Sequence, residues 1–131
     1  MAKVAEFMSH QVFSISPDQH AHKAVEEMYQ NGISALIVKK DDEDVGIFTK
    51  TDWMVLVLKG ECDPKELKVS SLMTDIKHTI GKDETIARAC AIIEEKNVRH
   101  IPVKEGNKIV GMFSVKDLEK YYLSLHKKTE F

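Results

Sequence analysis

Apolar residues recur along this chain with two spacings, and the order of the spacings repeats. Ala21, Ala24, Val25 and Met28 follow the i, i+3, i+4, i+7 pattern of one helix face. A short apolar run, Ala35-Leu36-Ile37-Val38, comes next, then the polar Asp41-Asp42-Glu43-Asp44, then Val45-Gly46-Ile47-Phe48. Strand, polar turn and strand predict a hairpin. Ile86, Ala89, Cys90 and Ile93 carry the helix pattern again, followed by His100-Ile101-Pro102-Val103, the turn Glu105-Gly106-Asn107-Lys108, and Ile109-Val110-Gly111-Met112-Phe113. Further helices are expected to start at Thr49 and Ser114.

A shift of 65 residues lays the chain on itself without a gap. Val4 and Met8 fall on Val69 and Met73, Ser14-Ile15 on Thr79-Ile80, Gly46 on Gly111, Phe48-Thr49 on Phe113-Ser114, and Asp52 on Asp117. The reading is an α+β chain of two pseudo-symmetric βαββα repeats, each with a three-stranded sheet and two helices. Residues 1–60 form one repeat, 61–68 a linker and 69–131 the other. Gly60 is placed to end a helix and Pro64 to prevent its resumption. Half a normal domain buries too little apolar surface alone, so the repeats are expected to pack face to face.

Composition narrows the function. A net charge of -2 over 131 residues offers no basic surface for duplex nucleic acid. The longest apolar run, Trp53-Met54-Val55-Leu56-Val57-Leu58, is too short to span a bilayer. Met1-Ala2-Lys3-Val4-Ala5-Glu6 lacks the apolar stretch of a secretory leader. Cys62 and Cys90 have no metal-type spacing and are read as reduced thiols of a cytoplasmic protein.

The repeated segments Gly46-Ile47-Phe48-Thr49-Lys50-Thr51-Asp52 and Gly111-Met112-Phe113-Ser114-Val115-Lys116-Asp117 carry the candidate chemistry. Ser/Thr-x-x-Asp at a helix start has a plain structural meaning, since it is close to a capping box. It also has a chemical one. A helix N-terminus presents unpaired N–H groups to a phosphate. The hydroxyl donates to a phosphate or sugar oxygen, and the carboxylate accepts from ribose hydroxyls. The glycine permits close approach of a backbone or a ligand.

From Val4 to about Leu125 the chain resembles a tandem pair of cystathionine β-synthase (CBS) domains, a Bateman module. The resemblance rests on Val4-x-x-Phe7-Met8 and Val69-x-x-Leu72-Met73, on Arg99-His100-Ile101-Pro102-Val103, and on both Gly-x-x-Ser/Thr-x-x-Asp segments. It implies a regulatory, non-enzymatic module with two clefts between the repeats that take AMP, ADP, ATP or S-adenosylmethionine. One cleft would use Ser114 and Asp117 with Phe13, Ser14 and Ile15, and with Arg99 and His100 toward phosphate. The other would use Thr49 and Asp52 with Lys77, His78, Thr79 and Ile80. The resemblance implies that aspartate holds the ribose and that the opening strand holds the adenine.

The first repeat has Ser34 and Ala35 where the second has Arg99 and His100, and it lacks the proline. Only Lys50, Lys77 and Lys82 offer cations to the Thr49/Asp52 cleft, so the Ser114/Asp117 cleft is expected to bind more tightly. The run Trp53–Leu58, with the stripe Leu118, Tyr121, Tyr122 and Leu125, predicts a homodimer. The output is expected to pass to a separate effector protein. The alternatives are a ligand-free assembly protein of the same fold and a hydrolase, although no nucleophile–base–acid set stands out. His20 and His22, two apart on a helix, do not face one another. Asp41–Asp44 lacks the spacing of a calcium loop.

Overall fold

The computed structural model describes residues 1–60, 63 and 65–127. Glu61, Cys62 and Pro64, and with them part of the expected linker, lie outside the described residues, as do 128–131. The element order is α1 (Val4–Phe7), β1 (Ser14–Ile15), α2 (Ala21–Asn31), β2 (Ala35–Lys40), β3 (Glu43–Thr49) and α3 (Lys50–Lys59). A 3-10 turn at Val69–Ser71 follows, then β4 (Ile80–Gly81), α4 (Ile86–Lys96), β5 (His100–Glu105), β6 (Lys108–Ser114) and α5 (Val115–Lys127). Each repeat forms a three-stranded sheet, ordered β1-β2-β3 and β4-β5-β6. Its short opening strand pairs parallel and its hairpin antiparallel.

The hairpins are tighter than the polar runs suggest. Lys40 pairs with Glu43 and Glu105 with Lys108, so each turn is only two residues long. Asp41 and Asp42 both take positive φ, 50° and 66°, the geometry of a type I′ turn; in the other hairpin Gly106 takes φ 62°. Both ladders slip by one residue at the same place, between Val38 and Lys39 and between Val103 and Lys104.

The compact units in space do not coincide with the halves of the sequence. One unit comprises residues 13–76; the other comprises 1–12 together with 77–131. Each repeat therefore gives its leading segment to the other unit, whereas the sequence reading kept that segment with the helices that follow it. The bonds responsible are symmetric. In the unit made of 1–12 and 77–131, Val4 N–H donates to Glu84 O (2.8 Å) and Ile86 N–H to Ala2 O (3.1 Å). In the 13–76 unit, Val69 N–H donates to Gln19 O (2.8 Å) and Ala21 N–H to Leu67 O (2.7 Å). Val4 and Val69 are fully buried, each in the core of the unit that receives it. Burying one such side chain contributes about 1.5–3 kcal/mol.

The leading segment then runs along the outer strand of the hairpin. Ser9 and Met112 exchange backbone bonds of 2.9 and 3.0 Å, and Ile47 and Thr74 do the same. The approach is permitted by the glycines one residue before Met112 and Ile47. A Cβ on Gly111 would lie 2.8 Å from Ser9 O and 2.5 Å from Met8 Sδ; one on Gly46 would lie 2.9 Å from Thr74 O and 2.8 Å from Met73 Sδ. What approaches these glycines closely is a neighbouring backbone.

Helices bury the expected faces with one addition. Ala21, Ala24 and Met28 on α2 and Ile86 and Ala89 on α4 are buried, and Ile92 is buried as well. The helices end in left-handed residues, Gly32 after α2, Asn97 after α4 and Gly60 after α3.

Candidate functional site

At the start of α5 the backbone N–H of Ser114 donates to Asp117 Oδ2 (2.8 Å), and the Ser114 hydroxyl donates to the same oxygen (3.2 Å). At the start of α3 the Thr49 N–H and hydroxyl reach Asp52 Oδ2 at 2.8 and 3.4 Å. The acid's half of the capping box, a carboxylate accepting from the backbone N–H at the helix start, is thus realised in both copies, and it uses one carboxylate oxygen of each acid. Asp52 and Asp117 are 9% and 5% exposed and are the buried charged residues of the described core.

The two aspartates differ in surroundings. Lys120 Nζ lies 3.8 Å from Asp117 Oδ1, one helical turn along α5. The corresponding residue of α3 is Val55. Burial pushes the Asp52 carboxyl above its ordinary value of 3.8, against the opposing effect of the Thr49 N–H and hydroxyl. Lys120 was not among the residues singled out from sequence; its i, i+3 spacing from Asp117 is the signal that would have found it.

The hairpin brings the basic pair to the helix start. His100 is the cross-strand partner of Ser114, and Val115 N–H donates to Arg99 O at 3.2 Å. Arg99, His100, Ser114 and Asp117 therefore gather at one end of one sheet. The Arg99 side chain is exposed and, among the described residues, makes no ion pair within 4.0 Å, with Glu94 and Glu95 included. In the 13–76 unit Ala35 faces Thr49, and Lys50 N–H donates to Ser34 O at 3.2 Å. The same frame is present there without the guanidinium or the imidazole.

The opening-strand residues divide between the units. Phe13, Ser14 and Ile15 belong to the 13–76 unit, where Ile15 is buried and Ser14 exposed. Lys77, His78, Thr79 and Ile80 belong to the other, where Ile80 is buried, His78 half-buried, and Lys77 and Thr79 exposed. Of the remaining candidates, His22 lies 3.9 Å from Glu26 and His20 precedes α2 as its N-cap. Asp44 pairs with Lys39 at 3.8 Å. Among the described residues no three His, Cys, Asp or Glu side chains gather as a metal-ligand set, and no helix is long and apolar enough to cross a membrane.

The apolar stripe of α5 is divided in the same way. Leu118 and Tyr121 pack on the core of their own unit, with the Tyr121 ring edge-on to Phe7 at 5.4 Å. Tyr122, Leu123 and Leu125 stay exposed, as do Met54, Val55, Val57 and Leu58 on α3. Only half of the expected α5 stripe is therefore open for contact with another chain.

The CBS domain model matches residues 4–59 and again 69–124. The chain belongs to the CBS-domain family. It is a tandem pair, and the two matches cover both βαββα repeats. A CBS domain crystal structure with 31% identity superposes with a TM-score of 0.86 over 94% of this chain and 99% of the other. The mitochondrial CBS domain-containing protein CBSX3 of Arabidopsis thaliana is 28% identical over 116 residues, 85% of this chain. An uncharacterised protein of Methanopyrus kandleri is 27% identical over 117 residues, 88% of this chain. The chain spans 56–60% of the length of these two relatives. Two further CBS structures share the fold at 17% and 20% identity, with TM-scores of 0.85 and 0.80 over 95% and 96% of this chain and 98% and 99% of theirs. The first was solved with 5′-methylthioadenosine and S-adenosylmethionine, the second, CBSX2, with AMP.

Proposed function

We propose that this CBS pair is a regulatory module that binds an adenosine-type nucleotide, AMP, ADP, ATP or S-adenosylmethionine, and signals to a separate partner protein without chemistry of its own. The observation that carries the reading is the gathering of Arg99, His100, Ser114 and Asp117 at the N-terminus of α5. A hydroxyl and a buried carboxylate stand at that helix start, the Arg99 backbone adjoins it, and the exposed Arg99 side chain makes no ion pair among the described residues. Arginine grips a phosphate with two parallel hydrogen bonds, and a carboxylate accepts from ribose hydroxyls. Two proteins of the same fold hold adenosine ligands.

In this reading the tighter set is Ser114 and Asp117 with Arg99, His100, Phe13, Ser14 and Ile15. The weaker is Thr49 and Asp52 with Lys77, His78, Thr79 and Ile80. Titration calorimetry with AMP, ADP, ATP and S-adenosylmethionine tests it, with thermal shift as a parallel readout. Asp117→Ala should abolish the tighter event and Asp52→Ala should leave it. Loss of the tighter event with Asp52→Ala reverses the ranking, and no heat with any of the four ligands refutes the function.

A second reading, assembly without ligand, is favoured by the exposed Met54, Val55, Val57 and Leu58 on α3 and Tyr122, Leu123 and Leu125 on α5. We expect a homodimer formed through these side chains in either case. Sedimentation at micromolar concentration decides, and a monomer with and without nucleotide rejects it. A cytoplasmic location belongs to the same proposal.

A further inference from the structure

The two grooves that receive the leading segments differ in how the chain fills them. Residues 67–74 dock into the 13–76 unit, so groove and occupant lie in one continuous stretch. The groove of 77–131 is filled from the opposite end of the sequence, by residues 2–9. There Val4 N–H donates to Glu84 O at 2.8 Å, Ala5 N–H to Lys82 O at 3.0 Å and Ile86 N–H to Ala2 O at 3.1 Å, ahead of the Ser9–Met112 pair. Val4 and Met8 are buried in this groove, and the Phe7 ring packs on Tyr121. The path back to β1 is bare by comparison. Among the described residues, His10, Gln11 and Val12 make no backbone–backbone hydrogen bond, and His10 and Gln11 are exposed.

We propose that residues 1–9 are an exchangeable strap, and that in the homodimer the groove of 77–131 takes the strap of the second copy. This rests on the homodimer reading above and adds to it what the two copies share. Every bond and buried side chain of the strap is the same whether the groove belongs to its own chain or to another, so exchange requires only a new path for residues 10–12. The place favours it. Phe7 sits on Tyr121, and the Tyr121 ring lies 5.6 Å from that of Tyr122, which is exposed on α5. The strap therefore docks beside a face expected to meet another chain. Four residue steps from Ser9 to Phe13 reach about 14 Å at most, so exchange is confined to copies already in contact. Ser9 pairs with Met112, which precedes Ser114 on β6. Each copy's strap thus braces the strand that leads to the other's candidate site.

The test mixes full chains carrying Ser9→Cys with full chains carrying Met112→Cys. Partners that exchange both backbone bonds stand about 5.5 Å apart at Cα, within disulfide reach. A 9–112 disulfide between the two variants therefore requires exchange. When the mixture is refolded together from urea and oxidised, peptide mass mapping should find that bond, distinct from any bond to Cys62 or Cys90, with a yield that rises with protein concentration. The double variant Ser9→Cys/Met112→Cys should close the same bond in either arrangement, which shows that the pair is in register. A dimer by sedimentation whose mixture forms no 9–112 bond, although the double variant does, overturns the proposal and leaves the homodimer standing. A monomer at every concentration fails both readings together. Should a variant not fold, or the double variant not close the bond, native chains decide. In an equal mixture of carbon-13-labelled and unlabelled protein, isotope-filtered contacts should join the Phe7 ring of one copy to the Tyr121 ring of the other. Contacts confined to one copy overturn the exchange.

Discussion

Gly111→Ala separates two roles for the glycine of the repeated motif, because its cost follows from the geometry. The added methyl would sit 2.5 Å from Met8 Sδ and 2.8 Å from the Ser9 carbonyl oxygen. Methionine can swing aside at small cost. The carbonyl cannot, because Ser9 and Met112 hold each other by backbone bonds of 2.9 and 3.0 Å. Two outcomes are open. Strain stays in the sheet, at about 1–3 kcal/mol for an overpacked methyl. Otherwise the bridge opens and forfeits two hydrogen bonds of about 1 kcal/mol each. Both put the loss at about 1–3 kcal/mol, and Gly111 has no left-handed backbone to add to it. With a urea dependence of about 1–3 kcal/mol per molar, the denaturation midpoint should fall by about 1 M. Adding Met8→Ala should recover little, since the carbonyl clash remains. An unchanged midpoint accompanied by loss of nucleotide binding would refute the packing argument and return the glycine to the ligand.

Three further outcomes are expected. Asn97 occupies the left-handed position after α4 that Gly32 fills after α2; Asn97→Gly should raise the unfolding free energy by about 0.5–1 kcal/mol, and a lower thermal midpoint would contradict this. Burial holds the Asp52 carboxyl above 3.8, so the folded chain binds that proton more tightly than the unfolded one. Its contribution to stability then declines as pH rises from 3.8 through the raised value and is level above it. Asp52→Asn removes the titration; stability curves of the two chains that run parallel across that acid window would show the argument wrong. Arg99→Ala should weaken AMP binding by about 1.5–3 kcal/mol while leaving adenosine nearly unaffected, and calorimetry showing equal losses for both would exclude a phosphate role.

Much of the site was legible because its components are local. The hydroxyl–acid pair, the hairpin and the helix that follows lie within a few residues of one another, so spacing alone predicts the Oδ2 bonds of Asp52 and Asp117. The juxtaposition of Arg99 and His100 with Ser114 also follows from a hairpin once its turn is known to be two residues long. Lys120 escaped notice because an exposed lysine on a helix carries no pattern of its own until its partner is seen to be buried. The helical stripe puts Tyr121 on one face with Tyr122, whereas in the fold Tyr121 packs on Phe7, a residue far away in sequence.

Repetition, element type and the positions of helix ends were set by the sequence by itself, since period, caps and turn residues act over distances of a few residues. Which unit each leading segment joins was decided by the tertiary structure. Val4 and Val69 have the same flanking pattern, and either core is built from equivalent residues, so nothing local distinguishes staying from exchanging. The choice rests on long-range backbone bonds, Val4 to Glu84 and Val69 to Gln19, and on the groove that Gly111 and Gly46 leave open. Pro102 stands on the same boundary. Its missing N–H is written in the sequence, but only the register of β5 against β4 shows that the carbonyl it deprives of a β5 donor is that of His78.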